Sequence, residues 1–195
     1  SSLIDEVTVL DRLVGPLRAL VGQWGLTNRH MVNHEPCPAL QCTQHGDDET
    51  VQFVQPYTMT SPERIYALCS AVHYVEQARI QGAVVECGVW RGGSMMAVAR
   101  TLINCGRTDR ALYLFDTFEG MTKPGPLDIS LNGDSAENLL KRSAKTEEDT
   151  LWCYAPIERV VESLALTQYP TSHLHLIPGP VERTLAVSAP EQIAL

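Results

Sequence analysis

No stretch of this chain approaches the roughly 18–20 consecutive apolar residues that cross a bilayer, so no membrane partner is expected. Basic residues are scarce. Fifteen Lys and Arg stand against 23 Asp and Glu, a formal charge of −8. Neutralising phosphates takes a basic face, so no nucleic-acid partner is expected either. Six cysteines, at positions 37, 42, 69, 87, 105 and 153, are too sparse for a disulfide framework in a chain this long. Several of them fall in expected core elements, where a thiol behaves as a small hydrophobe, and they are expected to be reduced. Residues 1–11 contain acids and lack the basic start and apolar run of a secretory signal. The expectation is a soluble, cytoplasmic protein. What is present is ordinary for a globular domain: 195 residues, 44% hydrophobic and 19% charged. At about 150 residues per domain this is one domain with a short appendage, and it is too hydrophobic to be disordered.

Leu3, Val7, Leu10, Val14, Leu17 and Val21 recur at helical spacing, with Gly15-Pro16 as a kink or break. From Gly22 to Pro56 the periodicity vanishes, and the segment reads as a long loop or lid with one short helix at most. The chain therefore divides into an N-terminal helix and lid segment, 1–56, and an α/β domain, 57–195. Thr60-Ser61-Pro62-Glu63 has the form of a capping box, opening a helix that carries Ile65, Leu68, Cys69, Val72 and Val75 on one face. Ala83–Cys87 is a short β-branched run, expected as a buried strand. Glycine-rich residues 88–93 follow, then a helix from Ser94 to Asn104 and a second strand from Ala111 to Phe115 that ends at Asp116. Strand, glycine turn, helix and strand make a βαβ unit with parallel strands. Further helices are expected near 134–142 and 156–166, a third strand at His173–Ile177, and the beginning of a fourth at Gln192–Leu195.

The chemistry is expected in the turn. Glu86-x-Gly88-x-Trp90-x-Gly92 sits where a parallel sheet presents backbone N–H groups and a helix N-terminus to a ligand. Glycine permits the close approach because it has no Cβ. Asp116 stands at the tip of the next strand, where a nucleotide-type cofactor commonly finds an acid for its hydroxyls. A dinucleotide fingerprint cannot be threaded, because Trp90 holds a position that would need glycine. An acid ahead of the first glycine suits a positive amino group better than a pyrophosphate. S-adenosylmethionine has an amino group, a ribose and no phosphate, and the pattern favours it. A turn needed only for chain reversal is the competing reading.

The runs YTMTSPERIYAL (57–68), VVECGVWRGGSMM (84–96) and LYLFDTFEGM (112–121), with PEQIAL at 190–195, closely resemble the macrocin O-methyltransferase (TylF) family of antibiotic-sugar methyltransferases. The resemblance covers residues 55–195. It implies a Rossmann-like S-adenosylmethionine-dependent methyltransferase fold. Carried over residue by residue, Glu86, Cys87, Gly88, Val89, Trp90 and Gly92 would cradle the methionine part, with Thr58 and Met59 closing over it. Asp116 would bind the ribose hydroxyls, with Thr117, Phe118, Glu119 and Gly120 beside the adenosine. Ser135, Gly179 and Val181 would line the adenine, although a serine there also suits a helix cap. Family members continue beyond the fourth strand to carboxylates that hold a divalent cation, usually magnesium. Here the last residue is Leu195, so those ligands and the base are expected outside this sequence, the fold is expected to be cut short after its third strand, and no catalytic residue is assigned. The implied activity is O-methylation of a sugar hydroxyl on an antibiotic glycoside, a small-molecule acceptor. A shortened cofactor-binding module without catalysis is the alternative, and a homo-oligomer is left open.

Other clusters weigh less. His30, His34, Cys37, Cys42 and His45 are irregularly spaced for zinc, and a mobile or substrate-facing lid explains them better. His73 is expected to be a packed or surface histidine, and His173 and His175 to alternate along a half-buried strand. Glu147-Glu148-Asp149 is expected to be a solvated face.

Overall fold

A computed structural model describes residues 44–130 and 132–195. The expected helix over residues 3–21 and the His/Cys cluster through Cys42 lie outside the described residues. The described chain falls into a main unit, 44–122 with 143–195, and a small unit within 123–142.

In the main unit a parallel sheet runs in the order β1 (Val84–Cys87), β2 (Leu112–Asp116), β3 (Leu174–Pro178). On the outer side of β1 the expected fourth strand begins: Ala83 pairs with Ile193 in parallel, and the Val85 N–H donates to the Leu195 carbonyl at 2.9 Å. The third strand starts one residue later than expected, because Thr171–His173 form a 3-10 turn. His175 alone of the two histidines is therefore in the strand, stacked on Tyr113 with ring centroids 4.4 Å apart.

Around the sheet lie α1 (Gln44–Val54), α2 (Pro62–Gln77), α3 (Gly93–Asn104), α5 (Ile157–Ala165) and α6 (Val181–Ser188), while α4 (Ala136–Lys141) belongs to the small unit. Helix α3 packs against α1, α2 and α5. Its run Met95-Met96-Ala97-Val98-Ala99 is wholly buried, which is what a helix apolar almost all round requires. Val84, Leu112, Leu114, Leu174 and Leu176 alternate onto one sheet face and join that core.

The segment expected as a loop or lid with one short helix is helical over its last part. Residues 44–54 are helical, continue into a 3-10 turn at Gln55–Tyr57, and send Val54 into the core. The capping box is corrected: Ser61 is the N-cap of α2 and makes no side-chain cap bond, while Pro62 occupies the first turn. The Ser61 hydroxyl instead bonds the Glu63 carboxylate and holds its pKa below the ordinary value. The acid run 147–149 is more than a solvated face. Asp149 accepts from the Leu151 and Trp152 N–H groups at 2.7 and 3.3 Å, and the Glu147 carbonyl accepts from Arg91. Among the described residues no helix is long and apolar enough to cross a membrane.

One buried ion pair fixes the approach to β1. Arg110 donates to Glu76 at 2.6 Å, with both side chains under a tenth exposed, and also to the carbonyls of Ile80 and Gly82. The carbonyl of Arg110 in turn accepts from the Tyr169 hydroxyl at 2.7 Å. Burial pushes that phenol up to about 12. Replacing Arg110 by Ala leaves the buried Glu76 carboxylate with only the longer contact to Arg107 at 3.7 Å, so urea unfolding of that variant is expected to show a loss of about 3 kcal/mol, the lower end for breaking a buried pair.

Candidate functional site

The turn between β1 and α3 is built on left-handed backbone. Gly88 (φ +88°), Trp90 (φ +49°) and Gly92 (φ +86°) all occupy that region, and Gly92 is the N-cap of α3. A Cβ on Gly88 would meet nothing within 4 Å, so the turn is open there. The next residue is packed tight. A Cβ on Gly93 would lie 2.5 Å from the Tyr57 carbonyl oxygen and 2.7 Å from Thr58 Cβ, so only glycine lets the 57–58 backbone rest on the start of α3. Thr58 is thus beside the turn, its Oγ1 accepting from the Thr60 N–H at 3.0 Å, while the side chain of Met59 is half exposed.

Asp116 ties the turn to the end of β2. Its Oδ2 accepts from the N–H groups of Val89 at 2.5 Å and Trp90 at 3.1 Å. Its Oδ1 accepts from the Phe118 N–H at 2.8 Å. The Asp116 carbonyl accepts from the Gly179 N–H at 2.9 Å, and the Phe115 carbonyl from the Gly88 N–H at 2.8 Å. The ends of all three strands therefore meet at Asp116. An ionised carboxylate has about four acceptor sites. Oδ2 is filled, and Oδ1 keeps the room that a ligand hydroxyl would use. The Thr117 hydroxyl, 3.4 Å from Oδ1, gives its single proton to the nearer Gly120 carbonyl at 2.9 Å. Gly120 (φ +81°) lies against the Trp152 carbonyl, 2.5 Å from an ideal Cβ, and Glu119 points into solvent.

Glu86 is half buried as a residue, but its Oε2 is sealed from solvent and has no hydrogen-bond partner. Ser94, on the first turn of α3, hydrogen-bonds the carboxyl group. Burial, with a smaller contribution from the negative charge of Asp116, pushes the Glu86 pKa up to about 8. An orphaned acceptor beside an open glycine turn is a place for a cationic donor. Trp90 packs against the core, leaving its Nε1 buried and unpartnered, and the Arg91 guanidinium sits 4.6 Å over its ring. Cys87 is exposed at the rim, its thiol pushed up by burial and by Glu86. Gly179 (φ +131°) and Val181, the first residue of α6, follow β3 on the same edge of the sheet. Ser135 lies in the small unit and caps α4, accepting from the Asn138 N–H, which is the structural role a serine there suggested.

The sequence reading missed Ser94 and Gly93. The signal for both was the Gly-Gly-Ser that closes the turn, since residues at the first turn of a helix face whatever the turn holds.

The profile of the macrocin O-methyltransferase (TylF) family matches residues 18–195. This chain belongs to the macrocin O-methyltransferase family. Among curated relatives of the family member, the 8-demethyl-8-(2,3-dimethoxy-alpha-L-rhamnosyl)-tetracenomycin-C 4'-O-methyltransferase of Streptomyces olivaceus is 38% identical over 69 residues, 35% of this chain and 26% of that protein. The solved structure of the O-methyltransferase NovP shares the fold, with a TM-score of 0.55 and 20% identity, over 70% of this chain and 53% of NovP. The family member thus spans about a quarter and about half the length of these two proteins.

Two measurements test the site. Asp116→Ala leaves three turn N–H groups without their charged acceptor, and chemical denaturation is expected to show a loss of about 2–4 kcal/mol, given about 1.5–3 per charge-assisted bond and partial access to water. A loss under about 0.5 kcal/mol would mean that water replaces the clamp. For Glu86, the native state holds a proton between pH 4.5 and about 8 that the unfolded chain has released. Its contribution to stability is therefore present below pH 4.5 and is lost as pH rises towards 8. Glu86→Gln removes that loss, so the variant is expected to gain stability over the parent as pH is raised from 5 to 8.5, and a constant difference would contradict it.

Proposed function

We propose that this chain carries the cofactor site of a cytoplasmic S-adenosylmethionine-dependent O-methyltransferase that acts on a sugar hydroxyl of an antibiotic glycoside. The observation that carries the reading is the buried, partnerless Oε2 of Glu86 at the head of an open glycine turn. Family membership and the sugar O-methyltransferase named above support the reaction class.

The residues fit the cofactor on chemical grounds. Glu86 offers a desolvated carboxylate for the amino group, and that cation would draw the proton off Glu86. Gly88 leaves space at the turn, Thr58 borders it, and the free capacity of Asp116 Oδ1 suits a ribose hydroxyl. When bound, S-adenosylmethionine supplies an electrophilic methyl group on a sulfonium. What the chain contributes is orientation: a turn fixed by Asp116 holds Glu86 and the open face of Gly88 in place before the ligand arrives, which lowers the entropy cost of bringing reactants together. Magnesium, which the family resemblance implies, finds no such fit. Among the described residues no three His, Cys, Asp or Glu side chains stand together as ligands, and no step is assigned to a metal.

Isothermal titration with S-adenosylmethionine and its demethylated product tests the reading. Binding is expected, weakened at least tenfold in Glu86→Gln, which loses the charge paired with the amino group, about 1.4 kcal/mol or more. Binding of NAD with no heat from either of the other two would overturn the assignment.

A further inference from the structure

At the far end of α3 from the glycine turn, three side chains from three elements form a second polar chain. His73 on α2 places Nε2 at 2.9 and 3.2 Å from the two oxygens of Asp47 on α1, and Nδ1 at 3.2 Å from Sγ of Cys105, the C-cap of α3. Asp47 is buried, whereas His73 and Cys105 are partly exposed. An ionised carboxylate can only accept, so Nε2 carries the proton that faces Asp47. In the neutral ring Nδ1 is then the acceptor, and the Cys105 thiol donates to it. Passing that proton to Nδ1 gives a thiolate beside an imidazolium whose other side is held by a carboxylate. That is the arrangement that activates sulfur nucleophiles.

Two other described thiols, Cys69 and Cys87, stand in less activating surroundings. Cys69 on α2 is fully buried, and its thiol is pushed up, chiefly by burial. Cys87 is exposed, but its thiol is pushed up as well. Around Cys105, the titratable and charged groups of the packed elements are Asp47 on α1, Cys69, His73 and Glu76 on α2, and Arg107 just beyond α3. Arg107 is engaged with Asp109 at 3.0 Å and Glu76 at 3.7 Å. None of the three belongs to the glycine turn between β1 and α3.

We propose that Cys105 is a modification site, a thiol activated by the Asp47–His73 pair towards small disulfides. In the reaction the S–H proton goes to His73 Nδ1, and the Cys105 thiolate attacks one sulfur of the disulfide. The new S–S bond forms as the old one breaks, and the departing thiolate takes up the proton from the imidazolium. One disulfide is consumed and one mixed disulfide and one small thiol are formed, with no other reactant.

The test is site-resolved mass spectrometry of the full chain treated with neutral bis(2-hydroxyethyl) disulfide between pH 6.5 and 9. An ordinary thiol, titrating at about 8.5, slows roughly 100-fold towards pH 6.5. Cys105 is expected to slow less than about tenfold over that range, and to outpace Cys87 at pH 6.5. In His73→Gln, which keeps a donor to Asp47 but provides no base, the rate at pH 6.5 is expected to fall about fivefold or more, allowing for the lower nucleophilicity of an acidic thiol. An ordinary pH profile for Cys105 in the parent protein would overturn the proposal. So would no adduct at Cys105, or a disulfide already present there before treatment. Should His73→Gln fail to fold, the parent's profile decides alone.

Discussion

The carboxylate of Asp116 is the constraint on which the edge of the sheet at the strands' C-terminal ends depends. It collects N–H groups from the turn after β1 and from the turn after β2, while its own carbonyl receives Gly179 after β3. Two residues, Trp90 and Phe118, adopt left-handed backbone that non-glycine residues normally avoid. Each such conformation costs on the order of 1–3 kcal/mol. The charge-assisted bonds their N–H groups make to Asp116 are of comparable size, about 1.5–3 kcal/mol each. The strain therefore persists because the carboxylate offsets it. Bulky side chains at 90 and 118 are then carried inward, to pack where glycine would leave a gap.

Glu86 and Asp116 divide the electrostatic work between them. Asp116 is surrounded by backbone donors. Glu86 has one hydroxyl partner and a sealed, unpaired oxygen, which favours the neutral acid. Two anions side by side would repel, so one remains protonated until something positive arrives. The acid that anchors the backbone is thus distinct from the acid left with an unpaired oxygen.

The βαβ unit was legible because its signals are local. The β-branched run 83–87, the glycines and the apolar helix 94–104 each have one good conformation, and the sheet register follows. Helix α1 was not legible because its buried positions include Asp47 and Thr50, which carry no apolar period. They are inside because partners far along the chain or one turn away satisfy them: His73 for the first, the Gly46 carbonyl for the second. The same holds for His73 itself, whose place between Asp47 and Cys105 depends on three elements converging. At the site, the residue types could be read from the motif. The saturation of Asp116 by backbone donors could not, since N–H groups are identical in every residue and only the fold aims them.

The contact of Tyr57 and Thr58 with Gly93 bears on how relatives of this chain could be recombined. Because backbone rests on backbone there, the spacing from Val54 to Ser61 cannot change by even one residue without lifting Thr58 off the helix that follows the glycine turn. Helix α1, continuous with that stretch and locked to α2 through Asp47, is part of the same rigid block. A chimera that exchanges N-terminal segments should therefore be joined upstream of Gln44. A junction at the apparent end of the polar, aperiodic stretch near Pro56 would cut through the block that seats the turn.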